Sequence, residues 1–215
     1  ESLWSEIQDR SAGKDVRKED LILDNEELQN KIHELYKKQG EGDTLDVSSL
    51  TNLIRCNDFS NIFLGLDNVE HIIGLENWDV SKVTNMEEMF NGCEKFNADL
   101  SKWDVSSVED MNSMFNGCKK FNSDLSNWDV SNVKSMRSMF SNCKNFNCDL
   151  SKWNVSNVED MGFMFKSCDN FNSDLSKWNV SKVINMRFMF LSCDNFNSDG
   201  KSLNNWDVSN VQDMG

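Results

Sequence analysis

Residues 103–127 read WDVSSVEDMNSMFNGCKKFNSDLSN, and nearly the same line starts at Trp78, Trp128, Trp153 and Trp178. These tryptophans stand 25 residues apart, and Trp206 follows after 28, with Gly200, Lys201 and Ser202 as the insertion. Self-similarity at a fixed period of about 20–50 residues marks a solenoid or a propeller. Propeller blades are longer, about 40–50 residues with four strands, so a 25-residue unit favours the solenoid.

Written from tryptophan, the unit is W-[DN]-V-S-x-V-x-x-M-x-x-M-F-x-x-C-x-x-F-N-x-D-L-S-x. In its first half Met111, Met114, Phe115 and Cys118 follow Val108 at offsets of three, six, seven and ten, the spacing of one helix face. Ser106 suits a helix N-cap, and Ser106-x-x-Glu109 and Ser156-x-x-Glu159 match the capping box. Gly92 and Gly117 fall near the end of that face, where a left-handed cap or turn suits them. In the second half Phe121, Ser123 and Leu125 alternate with Asn122 and Asp124, the period of a short strand. The middle slot holds Ala98, Ser123, Cys148, Ser173 and Ser198, small residues that fit a tight inward position.

One such unit buries too little apolar surface to offset the entropy of ordering its backbone, so neighbouring copies must share a core. The expected fold is an α/β solenoid: a leucine-rich-repeat-like stack of 25-residue strand-plus-helix rungs with an N-terminal helical cap. Residues 1–45 form the N-terminal segment, in which only Trp4 and Ile7 suggest a contact before residue 20. Its capping helix covers about 24–40: Asp24-x-x-Glu27 starts it, Leu28, Ile32, Leu35 and Tyr36 make its apolar stripe, and Gly40 stops it. Residues 46–75 read as a degenerate capping repeat, in which Cys56, Phe59, Ile62 and Phe63 take the Val, Met, Met and Phe places and Leu66 the cysteine slot. Residues 76–215 are the repeats proper, the last incomplete. A start at Glu1 and an end at Met214-Gly215 read as a fragment of a longer protein.

A net charge of -14 and a pI near 4.5 argue against a nucleic-acid partner and against docking on an anionic membrane. No run of apolar residues reaches the length of a membrane span, so this segment is not expected to insert. Acidity suits solubility or a cationic partner.

Five of the seven cysteines, Cys93, Cys118, Cys143, Cys168 and Cys193, share one slot on the apolar face and read as buried free thiols. No CxxC pair suggests zinc. Asp99, Asp124, Asp149, Asp174 and Asp199 would stack as one column, with Asn97, Asn122, Asn147, Asn172 and Asn197 beside them, both facing outward. The simplest role of each aspartate is to accept amides of its own turn. A calcium site or a ligand-binding face is the sharper alternative, but calcium wants six to eight oxygens and the D-x-D loop of an EF-hand is missing. The tryptophan column is expected to stack edge-on in the core. His33 and His71 have no motif partner and no phosphate-cradling glycine loop occurs, so the reading is of a protein without catalysis, metal or cofactor.

The repeated motif from Trp78 to Met214 resembles the BspA-like leucine-rich-repeat family, in the variant found in bacterial surface lipoproteins, including those of mycoplasmas. That resemblance implies a lipid-anchored, cell-surface or secreted protein associated with adhesion to host proteins or mucus, and it implies no catalytic residues.

In such an array the fixed letters build the scaffold and the changing ones carry specificity. The changing sites include Lys102, Asn127, Lys152 and Lys177, and the pairs Glu87-Glu88, Asn112-Ser113, Arg137-Ser138, Gly162-Phe163 and Arg187-Phe188. Phe163 and Phe188 stand where earlier copies carry polar residues, a candidate contact patch. The expected function is a cell-surface adhesin repeat domain presenting a face to a host or matrix protein. The alternative is an intracellular or structural interaction scaffold.

Overall fold

The computed structural model describes residues 20–52, 54–197 and 203–215. Asp24, in extended backbone, accepts the amide of Glu27 at 2.9 Å and opens helix α1 (Asn25–Lys38). Glu27 reaches back to the amide of Leu23. Leu28 and Ile32 are fully buried, Leu35 and Tyr36 pack against the same core, and Gly40 at φ +92 ends the helix. Strand β1 (Thr44–Asp46) follows and pairs in parallel with β2 (His71–Ile73), Leu45 opposite Ile72.

The leucine-rich-repeat-like α/β solenoid of helix-plus-strand rungs does not form. Among the described residues α1 is the only α-helix, and β1 and β2 make a single open two-stranded sheet. The 25-residue units are built from turns instead. Within one unit the amides of Trp103, Val108, Met114, Cys118 and Phe121 each close on the carbonyl three residues back. Ser113 at φ +53 and Gly117 at φ +77 occupy the third position of two of these turns, the place where a type II turn needs positive φ. A left-handed residue every fourth position prevents a continuous helix. The first and fourth residues of each turn then point the same way, so Met111 with Met114, and Phe115 with Cys118, reproduce the spacing of a helix face without the helix. Ser106 and Ser156 therefore cap no helix. Gly92 and Gly117 do sit in left-handed turns.

Amides left over by the turns tie one unit to the next. Those of Met111, Ser113, Phe115 and Gly117 donate to the carbonyls of Ser135, Arg137, Met139 and Ser141 at 2.8–3.1 Å. Isolated parallel bridges mark the same seam: Asp58 with Asn85, then Asp110, Ser135, Asp160, Asn185 and Asp213 in succession. The Phe-Asn-x-Asp-Leu-Ser segment, expected as a strand, alternates inside and outside as its pattern requires, with Phe121, Ser123 and Leu125 buried. It lacks a backbone ladder, because side chains make its cross-unit bonds: Ser123 Oγ accepts the Leu100 amide at 3.2 Å, and Cys148 Sγ and Ser173 Oγ do the same for Leu125 and Leu150.

A single apolar core runs from Ile22 to the tryptophan-marked units. Phe115 and Phe121 stack at 4.1 Å within a unit, and Phe115 meets Phe90 and Phe140 of its neighbours at 5.6 and 5.7 Å. Trp153 and Trp178 lie parallel, 2° apart at 6.4 Å, rather than edge-on. From the second tryptophan-marked unit on, the indole N–H reaches back: Trp128, Trp153 and Trp178 donate to the carbonyls of Leu100, Leu125 and Leu150 at 2.9–3.0 Å, whereas the buried Trp78 N–H has no partner among the described residues. Trp206 makes the same bond to Leu175 at 2.9 Å, although three extra residues precede it. Satisfying a buried N–H in this way avoids the cost of a lost hydrogen bond.

Candidate functional site

The asparagine and aspartate columns have separate tasks. Asn97 Oδ1 accepts the backbone amide of Asn122 at 2.8 Å, and the same bond runs from Asn122 to Asn147, Asn172 and Asn197 at 2.8–2.9 Å. Each asparagine thus holds the next unit's backbone in register. Asp99, Asp124, Asp149 and Asp174 each accept the amide of the serine two residues on, at 2.9–3.0 Å. That is the turn-forming role expected of them. Hydrogen bonds from Ser101, Ser126 and Ser151 hold the carboxyls of Asp99, Asp124 and Asp149 below the usual carboxylate range. Asp199 lies outside the described residues, as do Ser198, Gly200, Lys201, Ser202, Trp4 and Ile7.

Two more columns of this kind were not foreseen. Asp79, Asp104 and Asp129 accept the amides of Ser81, Ser106 and Ser131, and Asn154 and Asn179 do so in the later units. Along the bridge seam Asp58, Asn85, Asp110, Asp160 and Asn185 accept the amide two residues ahead. The alternation of Asp with Asn at equivalent sites was the available signal, since both accept a turn amide equally well. Among the described residues no three His, Cys, Asp or Glu side chains gather closely enough to hold a metal ion.

The cysteine slot is interior. Cys93, Cys118, Cys143, Cys168 and Cys193 donate their thiols to the carbonyls of Phe63, Phe90, Phe115, Phe140 and Phe165. All seven cysteines are free, and burial pushes their thiols up, Cys93 to about 12 and Cys56, Cys148 and Cys193 to about 11. Such thiols are poor nucleophiles. His71 is exposed on β2, and His33 on α1 has its Nδ1 3.0 Å from the carbonyl of Gln29.

Phe163 and Phe188 stand apart from the core. Their rings meet edge to face at 5.6 Å on neighbouring units, half-buried. Both residues lie in the left-handed region, at φ +60 and +51, where Asn61, Glu88, Ser113 and Ser138 stand in the earlier units. Arg187 lies over Phe188 at 4.9 Å, while Arg137 and Lys166 lie over Phe163 at 5.3 and 5.8 Å. Leu191, 44% exposed, continues the apolar surface toward a cleft of about 590 Å³ lined by Met189, Leu203, Trp206 and Met214. Sequence spacing singled out the two phenylalanines but not the cations around them, which come from different units.

This arrangement is that of a repeat protein whose recurring side chains are engaged in joining its units. The chain belongs to the family described as Mycoplasma protein of unknown function, DUF285, which matches it over residues 57–165 and again over 128–215. No curated protein and no solved structure matches it. No helix among the described residues is long and apolar enough to cross a membrane.

Proposed function

We propose that this chain is a non-catalytic protein-binding repeat domain of a bacterial cell-surface protein, an adhesin akin to the BspA-like surface lipoproteins. The reading is carried by the placement of its variation. Tryptophan, methionine, phenylalanine and cysteine recur at buried positions, while most residues that change from unit to unit are exposed or half-exposed, Ser141, Gly162 and the small slot of Ser123, Cys148 and Ser173 being the buried exceptions. A scaffold that repeats and a surface that does not is how repeat proteins separate stability from recognition. Kinship with the lipid-anchored variant of that family, suggested by the repeated motif, supports display outside the cell.

The test has two arms. Labelled chain is applied to host cells before and after surface proteins are shaved with trypsin, and antibody against the chain is applied to intact and permeabilised bacteria. Binding that shaving abolishes, with antibody labelling of intact bacteria, is the expected result. Labelling only after permeabilisation, or no binding to unshaved cells, overturns the proposal.

A further inference from the structure

We infer that Phe163 and Phe188, with Arg137, Lys166 and Arg187 around them, form the docking site for an extended acidic-apolar segment of a partner protein; the inference rests on the protein-binding reading above. Backbone strain is the first observation. A bulky residue in the left-handed region is strained. The turn at this position asks only for positive φ, which Asn61, Glu88, Ser113 and Ser138 meet in the earlier units without an aromatic ring. The core gains nothing in return, because neither ring belongs to it.

The second observation is charge. On a chain of net charge -14, three cations converge on two aromatic rings. Arg137 and Arg187 occupy equivalent places two units apart, and Gly162, without a side chain, stands at that place between them. Their own carboxylate neighbours are loose: Asp160 is 3.9 Å from Arg137 and Asp213 3.7 Å from Arg187, beyond hydrogen-bonding distance. Two forked guanidinium groups therefore keep donors for a ligand.

Geometry and field narrow the occupant. Units paired in parallel at the spacing of strands put the two arginines roughly 10 Å apart, the reach of about three residues of extended peptide. A segment with acidic residues three apart and apolar ones between would place carboxylates on the arginines and apolar groups on the rings. A sulfated polysaccharide fits less well: it offers no apolar side chains, and the acidic remainder of the surface repels a long polyanion.

The test is selection of a random dodecapeptide phage library on the 215-residue chain. Enriched peptides are expected to carry two acidic residues about three apart flanking apolar ones. Synthetic versions should lose at least tenfold in affinity on R137Q/R187Q and bind undetectably to F163S/F188S, a variant built from residues of the earlier units. The circular dichroism of F163S/F188S should match the parent's, and its unfolding midpoint should equal or exceed the parent's, since serine relieves the strain. Failure to enrich, enrichment of basic or uncharged peptides, or binding that survives F163S/F188S overturns the site. Displacement of the peptides by heparin-derived oligosaccharide with tighter affinity would reassign it to a glycan. Binding that moves to another surface leaves the protein-binding reading standing and removes only this patch.

Discussion

The side-chain amide of Asn25 donates to the backbone carbonyl of Ser60 at 2.8 Å, taking the place of a preceding unit's backbone. Asn25 also reaches the carbonyl of Asp58 at 3.1 Å, and Gln29 that of Ser60 at 3.0 Å. One unit on, the equivalent carbonyls of Asn85 and Glu87 accept the amides of Phe59 and Asn61. Helix α1 thus ends the ladder with side chains instead of another strand-like edge. Asn25→Ala should cost about 1–3 kcal/mol, because the Asp58 carbonyl loses its donor while that of Ser60 keeps Gln29. Urea denaturation measures the loss, and hydrogen exchange should show it as fraying of residues 58–66 rather than of the central units.

Gly74 adopts φ +90, and a Cβ there would lie 2.6–2.7 Å from Ser48 atoms, its backbone among them. Gly74→Ala should therefore destabilise by about 2–4 kcal/mol, combining the backbone penalty with overpacking. A drop in the thermal midpoint checks it, and Gly65→Ala, where nothing stands within 4 Å, supplies the control with the backbone penalty alone.

Because burial raises the thiols, the folded chain holds protons that the unfolded chain releases above the ordinary value of 9.0. That stability is fully present below pH 9 and is lost as pH rises toward about 11 to 12, where Cys56, Cys148, Cys193 and Cys93 titrate. A disulfide reagent at pH 8 should label the native protein slowly and reach seven thiols only in urea. Rapid native labelling of Cys118 or Cys143 would contradict their burial.

At the acid end the sign reverses. Asp99, Asp124 and Asp149 sit below their ordinary pKa of 3.8, so their contribution is present above that value and fades as pH falls further. Asp124→Asn keeps an oxygen for the Ser126 amide, as Asn154 and Asn179 do for theirs. The variant should fold at neutral pH and show a shallower acid transition by circular dichroism.

Asn147→Ala should remove the acceptor for the Asn172 amide and cost about 1 kcal/mol. Asn147→Asp should recover most of it at neutral pH, since a carboxylate also accepts. Equal losses for both would show that packing, not the hydrogen bond, fixes register there.

The repeat register, the capping helix and the inward residues were legible because each rests on a period or a cap visible in the letters: the tryptophans, Asp24 with Glu27, and the alternation from Phe121 to Leu125. The helix in each unit was misread because apolar residues three apart satisfy a turn as well as a helix. Asn91-Gly92 and Asn116-Gly117 carried the discriminating signal, since Asn-Gly inside an apolar run marks a turn. The asparagine ladder and the cations over Phe163 were beyond reach of any single unit's sequence, because both are bonds between copies.

The Trp206 bond to Leu175 spans 31 residues where its counterparts span 28, yet it closes at the same length. Register is thus enforced by which groups meet and not by how much chain lies between them. A gene coding for such a protein can lengthen one segment, or duplicate a whole one, and disturb only the copies on either side. New surface can then be tried at one position while the rest of the molecule stays as it was.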